Sequence, residues 1–131
     1  MGAEVEIQRA LFAKLTPTGL RIVDVGRQAP DGGSATPFPY VEIGTIALAE
    51  FDTASETGFD FVARIHTRSR SAGKAEVKTI QGQLYATLHR ATLTVAGANF
   101  ISIARETSDV LDEPDGSFHG VCEYRGLVEN I

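Results

Sequence analysis

The sequence predicts an α+β fold: two layers, in which a mostly antiparallel sheet of four to five strands carries two helices packed on one face. Three observations predict it. From Thr57 the apolar residues Phe59, Phe61, Ala63 and Ile65 alternate with Asp60, Arg64, His66 and Arg68, the period of a half-buried strand. Beyond the polar run Arg68-Ser69-Arg70-Ser71-Ala72-Gly73-Lys74, the residues Val77, Ile80, Leu84 and Leu88 recur at intervals of three and four and form one helical stripe. Strand-like runs joined by tight turns, with helical periodicity at two places only, favour an antiparallel sheet with its helices segregated to one side.

The elements follow in order. Val5, Ile7, Ala10, Leu11 and Leu15, separated by good helix formers, predict a first helix over about residues 3–15, stopped by Thr16-Pro17. Residues 20–25 fit a short strand. Residues 26–39 carry three Gly and three Pro without apolar period and read as a loop. Pro37 and Pro39 bias the chain around Phe38 toward extended geometry and deliver Tyr40 into a strand reaching about Ala49. Its alternation changes face between Ile43 and Ile46, so a bulge at Gly44 is expected. The strand from Thr57 and the helix stripe come next, with Ser71 as the expected helix cap. Leu93 and Val95 then suggest another short strand, and Ala96-Gly97-Ala98-Asn99 turns the chain into an extended segment with Phe100, Ile101 and Ile103. Pro114-Asp115-Gly116 supplies a hairpin turn, because proline presets one dihedral and glycine accepts the positive one. The final strand places Phe118, Cys122 and Tyr124 on one side and His119, Val121, Glu123 and Arg125 on the other.

Composition narrows the function. With 131 residues, 43% hydrophobic and 22% charged, the chain fits a single domain over residues 1–131. A net charge of -5 disfavours general affinity for nucleic acid, since the phosphate contribution needs a cationic surface. The first residues lack the basic start and apolar run of a secretion signal, and no membrane association is expected. One cysteine, Cys122, excludes an internal disulfide and a cysteine metal site.

The chemical motifs are incomplete. Gly73-Lys74 between strand and helix suggests a phosphate loop, but that motif needs Gly at Arg68 and Ser or Thr at Ala75. His66, His89 and His119 show no close metal-ligand spacing and read as surface histidines. Cys122 and His119 point to opposite strand faces, which removes a nucleophile and base dyad. Asp109, Asp112, Glu113 and Asp115 depart from the EF-hand spacing and suit a solvated turn. No catalytic residue, cofactor or metal is therefore expected. Arg64, His66 and Arg68 share one strand side, with Arg70 and Lys74 just beyond. They form either a solvated face paired with carboxylates such as Glu42, or an interface with another subunit or nucleic acid.

The Phe38-Pro39-Tyr40-Val41 strand entry, the passage from Arg68 through Gly73-Lys74-Ala75-Glu76-Val77-Lys78, and the closing Pro114-Asp115-Gly116-Ser117-Phe118-His119-Gly120-Val121 hairpin occur in an order and spacing that resembles the tail-terminator (tail-completion) family of siphophages and gene transfer agents. The resemblance spans almost the whole chain. It implies a structural protein of the virion or gene transfer agent particle, assembled in the bacterial cytoplasm. It further implies a homo-oligomeric ring, generally a hexamer, on the head-proximal end of the tail. Such a ring stops tube growth, contacts the tail tube protein and the head-tail connector or stopper, and lets DNA pass through its lumen without sequence-specific binding. An adaptor or stopper in the neck is the alternative; a small-molecule-binding domain or enzyme is weaker. A ring needs two complementary patches per subunit. Candidates for them are Phe38 and Tyr40, the basic residues Arg64, His66, Arg68, Arg70 and Lys74, and the acidic hairpin residues Asp112, Glu113 and Asp115. The loop of residues 26–39 is a second candidate for function.

Overall fold

The computed structural model describes residues 2–24, 37–52 and 57–129. Helix α1 (Ala3–Leu15) runs into a short 3-10 turn (Thr16–Thr18), followed by strands β1 (Ile22–Val23), β2 (Tyr40–Glu50) and β3 (Gly58–Ser69), helix α2 (Ala75–Leu88), and strands β4 (Asn99–Asp112) and β5 (Phe118–Glu129). The strands form one five-stranded sheet in the order β1-β2-β3-β5-β4. Every pairing is antiparallel except that of β1 with β2. Both helices lie on one face, giving the expected two-layer α+β fold.

Periodicity accounts for the elements. On α1, Ile7, Ala10, Leu11 and Leu15 are buried, while Glu4 and Glu6 in the first turn and Lys14 in the last suit the helix dipole. On α2, Val77, Ile80, Leu84 and Leu88 are buried as one stripe. They meet Val41, Ile43, Phe61, Ala63, Ile65, Ile103, Cys122, Tyr124 and Val128 from the sheet. Burial of each large aliphatic or aromatic side chain in this layer contributes roughly 1.5–3 kcal/mol. The break in the β2 pattern is a bulge between Ile43 and Ile46, around Gly44. A Cβ at Gly44 would lie 2.7 Å from the His66 ring, so only glycine lets β2 pass there.

Two expectations are corrected. Leu93 and Val95 are buried but form no strand; they plug the core from an irregular segment between α2 and β4. Ser71 does not cap α2, whose N-cap is Lys74 with no side-chain cap bond. Ser71 lies too far before the first turn, and the Ser69 hydroxyl organises the turn instead, accepting from Ser71 N–H at 3.1 Å and donating to Glu76 at 2.5 Å. The prolines deliver Tyr40 into β2 as expected, and the Phe38–Pro39 peptide is cis. Residues 26–36 of the expected loop lie outside the described residues.

Part of the outer edge of β4 is occupied. Just beyond α2, Arg90 takes a positive φ of 58°, and its N–H donates to Ile103 O at 2.8 Å. Arg105 N–H donates to His89 Nδ1 at 3.1 Å. Farther along, Gln81 donates to Asp109 O at 2.9 Å and the Asp109 carboxylate accepts from Val110 N–H at 2.8 Å. These bonds blunt an edge that would otherwise offer free pairing groups. Among the described residues no helix is long and apolar enough to cross a membrane.

Candidate functional site

The strand register gathers the candidate residues at one end of the sheet. Tyr40 opposes Arg68, Arg68 opposes His119, and His119 opposes Leu111, so β2, β3, β5 and β4 all present the face away from the helices at that level. The β4–β5 turn folds over the same end, held by Glu113 N–H to Ser117 O and Gly116 N–H to Glu113 O, both 3.0 Å. Gly116 takes the positive φ of 86° that the Pro-Asp-Gly sequence anticipates. A surface cleft results, lined by Phe38, Tyr40, Glu42, Arg68, Glu113 and Asp115 together with Pro114 and Ser117.

The basic and acidic candidates are partners within one chain. Arg68 lies 3.7 Å from Glu113, Lys74 lies 3.5 Å from Asp112, and Arg64 donates to Glu123 at 2.9 Å. The Arg64 hydrogen bond holds the Glu123 carboxyl below its ordinary range. Asp115 is likewise lowered, because Ser117 donates to it from both hydroxyl and backbone. Arg70 stacks over the Phe38 ring at 4.2 Å, and Phe38 meets Tyr40 edge-on at 5.2 Å. Farther up the same face, Arg125 bridges Asp60 and Glu106. Arg64 and Arg68 are paired with the carboxylates of Glu123 and Glu113, where Glu42 was the expected partner.

His66 and His119 depart from the surface reading. They stack at 4.8 Å between ring centroids, His66 Nδ1 is 2.6 Å from His119 Nε2, and His119 Nδ1 is 3.0 Å from Glu113 Oε1. The linear sequence hid the pair because the residues are 53 apart and meet diagonally across β3 and β5. Their placement on the outward side of adjacent strands was the available signal. Cys122 is buried against Ser108, and burial pushes its thiol pKa up, so it is a poor nucleophile. Among the described residues, no three His, Cys, Asp or Glu side chains form a group that could hold a metal ion.

Nothing in this arrangement places a nucleophile, a base and an anion-stabilising group together; it offers ring stacking, ion pairs and an open cleft, the chemistry of a contact surface. Residues 9–129 match the family model described as tail completion protein gp17. The chain belongs to the tail completion protein gp17 family. Membership makes it a structural component of a phage-type tail, and its place is the virion. The same fold occurs in a chain from a solved structure described as the virion of a native gene transfer agent (GTA) particle, with a TM-score of 0.81, 17% identity and 98% of each chain covered. No curated protein sequence matches the chain.

Proposed function

We propose that this chain, as a single domain over residues 1–131, is a tail terminator: copies assemble as a ring of about six on the head-proximal end of the tail tube, stop its growth and present the surface that receives the head connector. The observation that carries this reading, beyond family membership, is the gathering of aromatic, cationic and anionic side chains at one end of the sheet. A ring contact is heterologous, so each copy must offer two different surfaces. Lys74 and Asp112 are the members best placed to reach a neighbour, with side chains 46% and 72% exposed. Their pairing within a chain is a surface pair of small worth, readily exchanged for a partner in the next copy. Phe38, stiffened by the flanking prolines and backed by the buried Tyr40, supplies the apolar part of the contact, and Arg64, His66, Arg68, Arg70, Glu113 and Asp115 its polar frame.

Passage of DNA needs a lumen that does not grip phosphate. At -5 per chain the protein is acidic, and a ring of about six copies carries roughly -30. Arg64, Arg68 and Lys74 each face a carboxylate of their own chain, which offsets the basic cluster. The chain then contributes by shape rather than by a reaction, with the tail tube protein and the connector as its partners.

Electron microscopy of particles lacking the protein tests the assignment. Overlong or unfinished tails support the terminator, whereas tails of normal length on unsealed heads indicate the neck adaptor. Native mass spectrometry, with and without tube protein, tests the ring. Lys74→Glu should abolish assembly of a chain that still folds, and Asp112→Lys in the same molecule should restore part of it.

A further inference from the structure

The two flanks of the sheet carry opposite charge and the same kind of apolar exposure. The strand order sets α1 beside β1 and β2 at one flank and α2 beside β4 at the other. Among the described residues five large apolar side chains are exposed, and four of them divide between these flanks: Val5 and Phe12 on one, Tyr85 and Ile101 on the other. Gln8 fixes the first pair. It stands three residues after Val5 and four before Phe12, on their side of α1, and it donates to Asp24, just past β1, at 2.8 Å. Tyr85 is fixed by β4, because its ring lies 4.3 Å from the Arg105 guanidinium and stacks on His89 at 4.4 Å. Ile101 lies where the register of β4 shifts against β5, so it has no partner residue there.

The charges divide with opposite sign. On the α2 and β4 flank Arg90 and Arg105 form no ion pair among the described residues, while Asp112 is matched by Lys74 and Asp109 accepts from Val110 N–H. On the α1 and β1 flank Glu4 and Asp24 form no ion pair among the described residues. The cations there are engaged: Arg9 pairs with Glu6 at 3.1 Å, and Arg21 donates to the Pro37 and Pro39 carbonyls at 2.8 and 3.0 Å. The heights agree as well. Val23 is level with Glu42 and His66, and Arg105 is level with Tyr124 and Ala63. Asp24 and Arg105 therefore lie within about three residues of one another along the strand direction, roughly 10 Å.

We propose that these flanks are the two halves of the seam between neighbouring copies, with Tyr85 and Arg105 of one copy seated against Phe12 and Asp24 of the next. The inference rests on the ring proposed above and names the surfaces that close it. A rotational ring repeats one heterologous contact, so each copy must give one half and receive the other, and opposite flanks of a sheet allow both at once. The aromatic and aliphatic side chains supply cohesion, and the charges supply direction. Two α2 and β4 flanks facing one another would set arginine against arginine, which excludes the head-to-head dimer. Ile103 O and Arg105 N–H are already bonded within the chain, so at that height the seam forms between side chains and not by strand addition.

The test uses two charge-reversed full-length chains, Arg90→Glu with Arg105→Glu, and Glu4→Lys with Asp24→Lys, checked for folding by circular dichroism. Each has flanks of like sign and should need at least about tenfold more protein than the parent to close a ring, a change of about 1.4 kcal/mol. Mixed together, the two should form rings again, because every contact then joins opposite signs. Native mass spectrometry with one variant isotopically labelled, with and without tube protein, should find equal numbers of the two in each ring. Either variant assembling alone as readily as the parent, or a mixture of folded variants that stays apart, would overturn the seam and leave the ring intact. A parent chain that forms no ring, even on tube protein, would overturn both. Phe12→Asp carries the test if the arginine variant does not fold: its exposed site should leave stability within about 1 kcal/mol of the parent, and an unimpaired ring would again refute the seam.

Discussion

Replacing Gly126 by alanine is expected to destabilise the fold by about 2–3 kcal/mol, at the upper end of the range for overpacking a tight site. Gly126 opposes Phe61 on one side and Ile103 on the other, and both partners belong to the core. An added Cβ would lie 2.5 Å from Phe61 Cε2 and 2.5 Å from the Ser102 carbonyl oxygen. The ring can be shortened by substitution, but the carbonyl belongs to the backbone of β4 and moves only if the β4–β5 pairing moves. Phe61→Leu, which removes the clashing ring edge, should cost about 1–2 kcal/mol by itself. The double variant should be about 1 kcal/mol more stable than the sum of the two single effects, because half of the clash is relieved and half remains. Urea unfolding at low protein concentration, with an unchanged m-value, measures all three, and in thermal melts the Tm of Gly126→Ala should fall by about 3–5 °C for each kcal/mol in a chain of this length. A neutral Gly126→Ala, or strict additivity with Phe61→Leu, would refute this account of how β3, β5 and β4 meet.

Tyr124→Phe should be neutral or stabilise by up to about 1 kcal/mol, since its hydroxyl is buried without a hydrogen-bond partner among the described residues and burial drives its pKa upward; thermal melts check this, and a loss above about 1 kcal/mol would mean that the hydroxyl has a partner. His89→Ala should remove the acceptor for Arg105 N–H and the stacking partner of Tyr85, costing about 1 kcal/mol and opening part of the β4 edge. Sedimentation velocity should then show concentration-dependent species larger than any the parent chain forms under the same conditions.

The regular part of the fold was legible because burial imposes a period. The alternation from Phe59, the stripe from Val77 to Leu88 and the Pro-Asp-Gly turn each encode their element locally, and even the bulge at Gly44 is written as a change of face. Leu93 and Val95 misled because two apolar residues one apart satisfy a strand pattern and an irregular plug equally well; only the packing of α2 against β4 decides between them. Ser71 misled because several serines precede α2 and the chain alone does not say where the first turn begins. At the candidate site the outward side of β3 was readable, but its neutralisation was not. Arg64 with Glu123 and Arg68 with Glu113 are pairs set by the register of β3 against β5, which no spacing along the chain reveals. The same register explains why the histidine pair was missed. Sequence order places the basic and acidic groups in separate segments, and the fold sets them against one another within one chain, so an exchange of Lys74 and Asp112 between copies displaces a pair that already exists.

The occupied flank of β4 bears on how a tail component can be manufactured. A bacterium producing phage-type particles accumulates many copies of each building block before they meet their targets, and an open strand would let those copies zip into fibres indiscriminately. With Ile103 O and Arg105 N already engaged by the segment that follows α2, that lateral route is closed along this part of the molecule. Cohesion there must be earned through matching side chains, which lets neighbours be chosen by identity instead of by backbone.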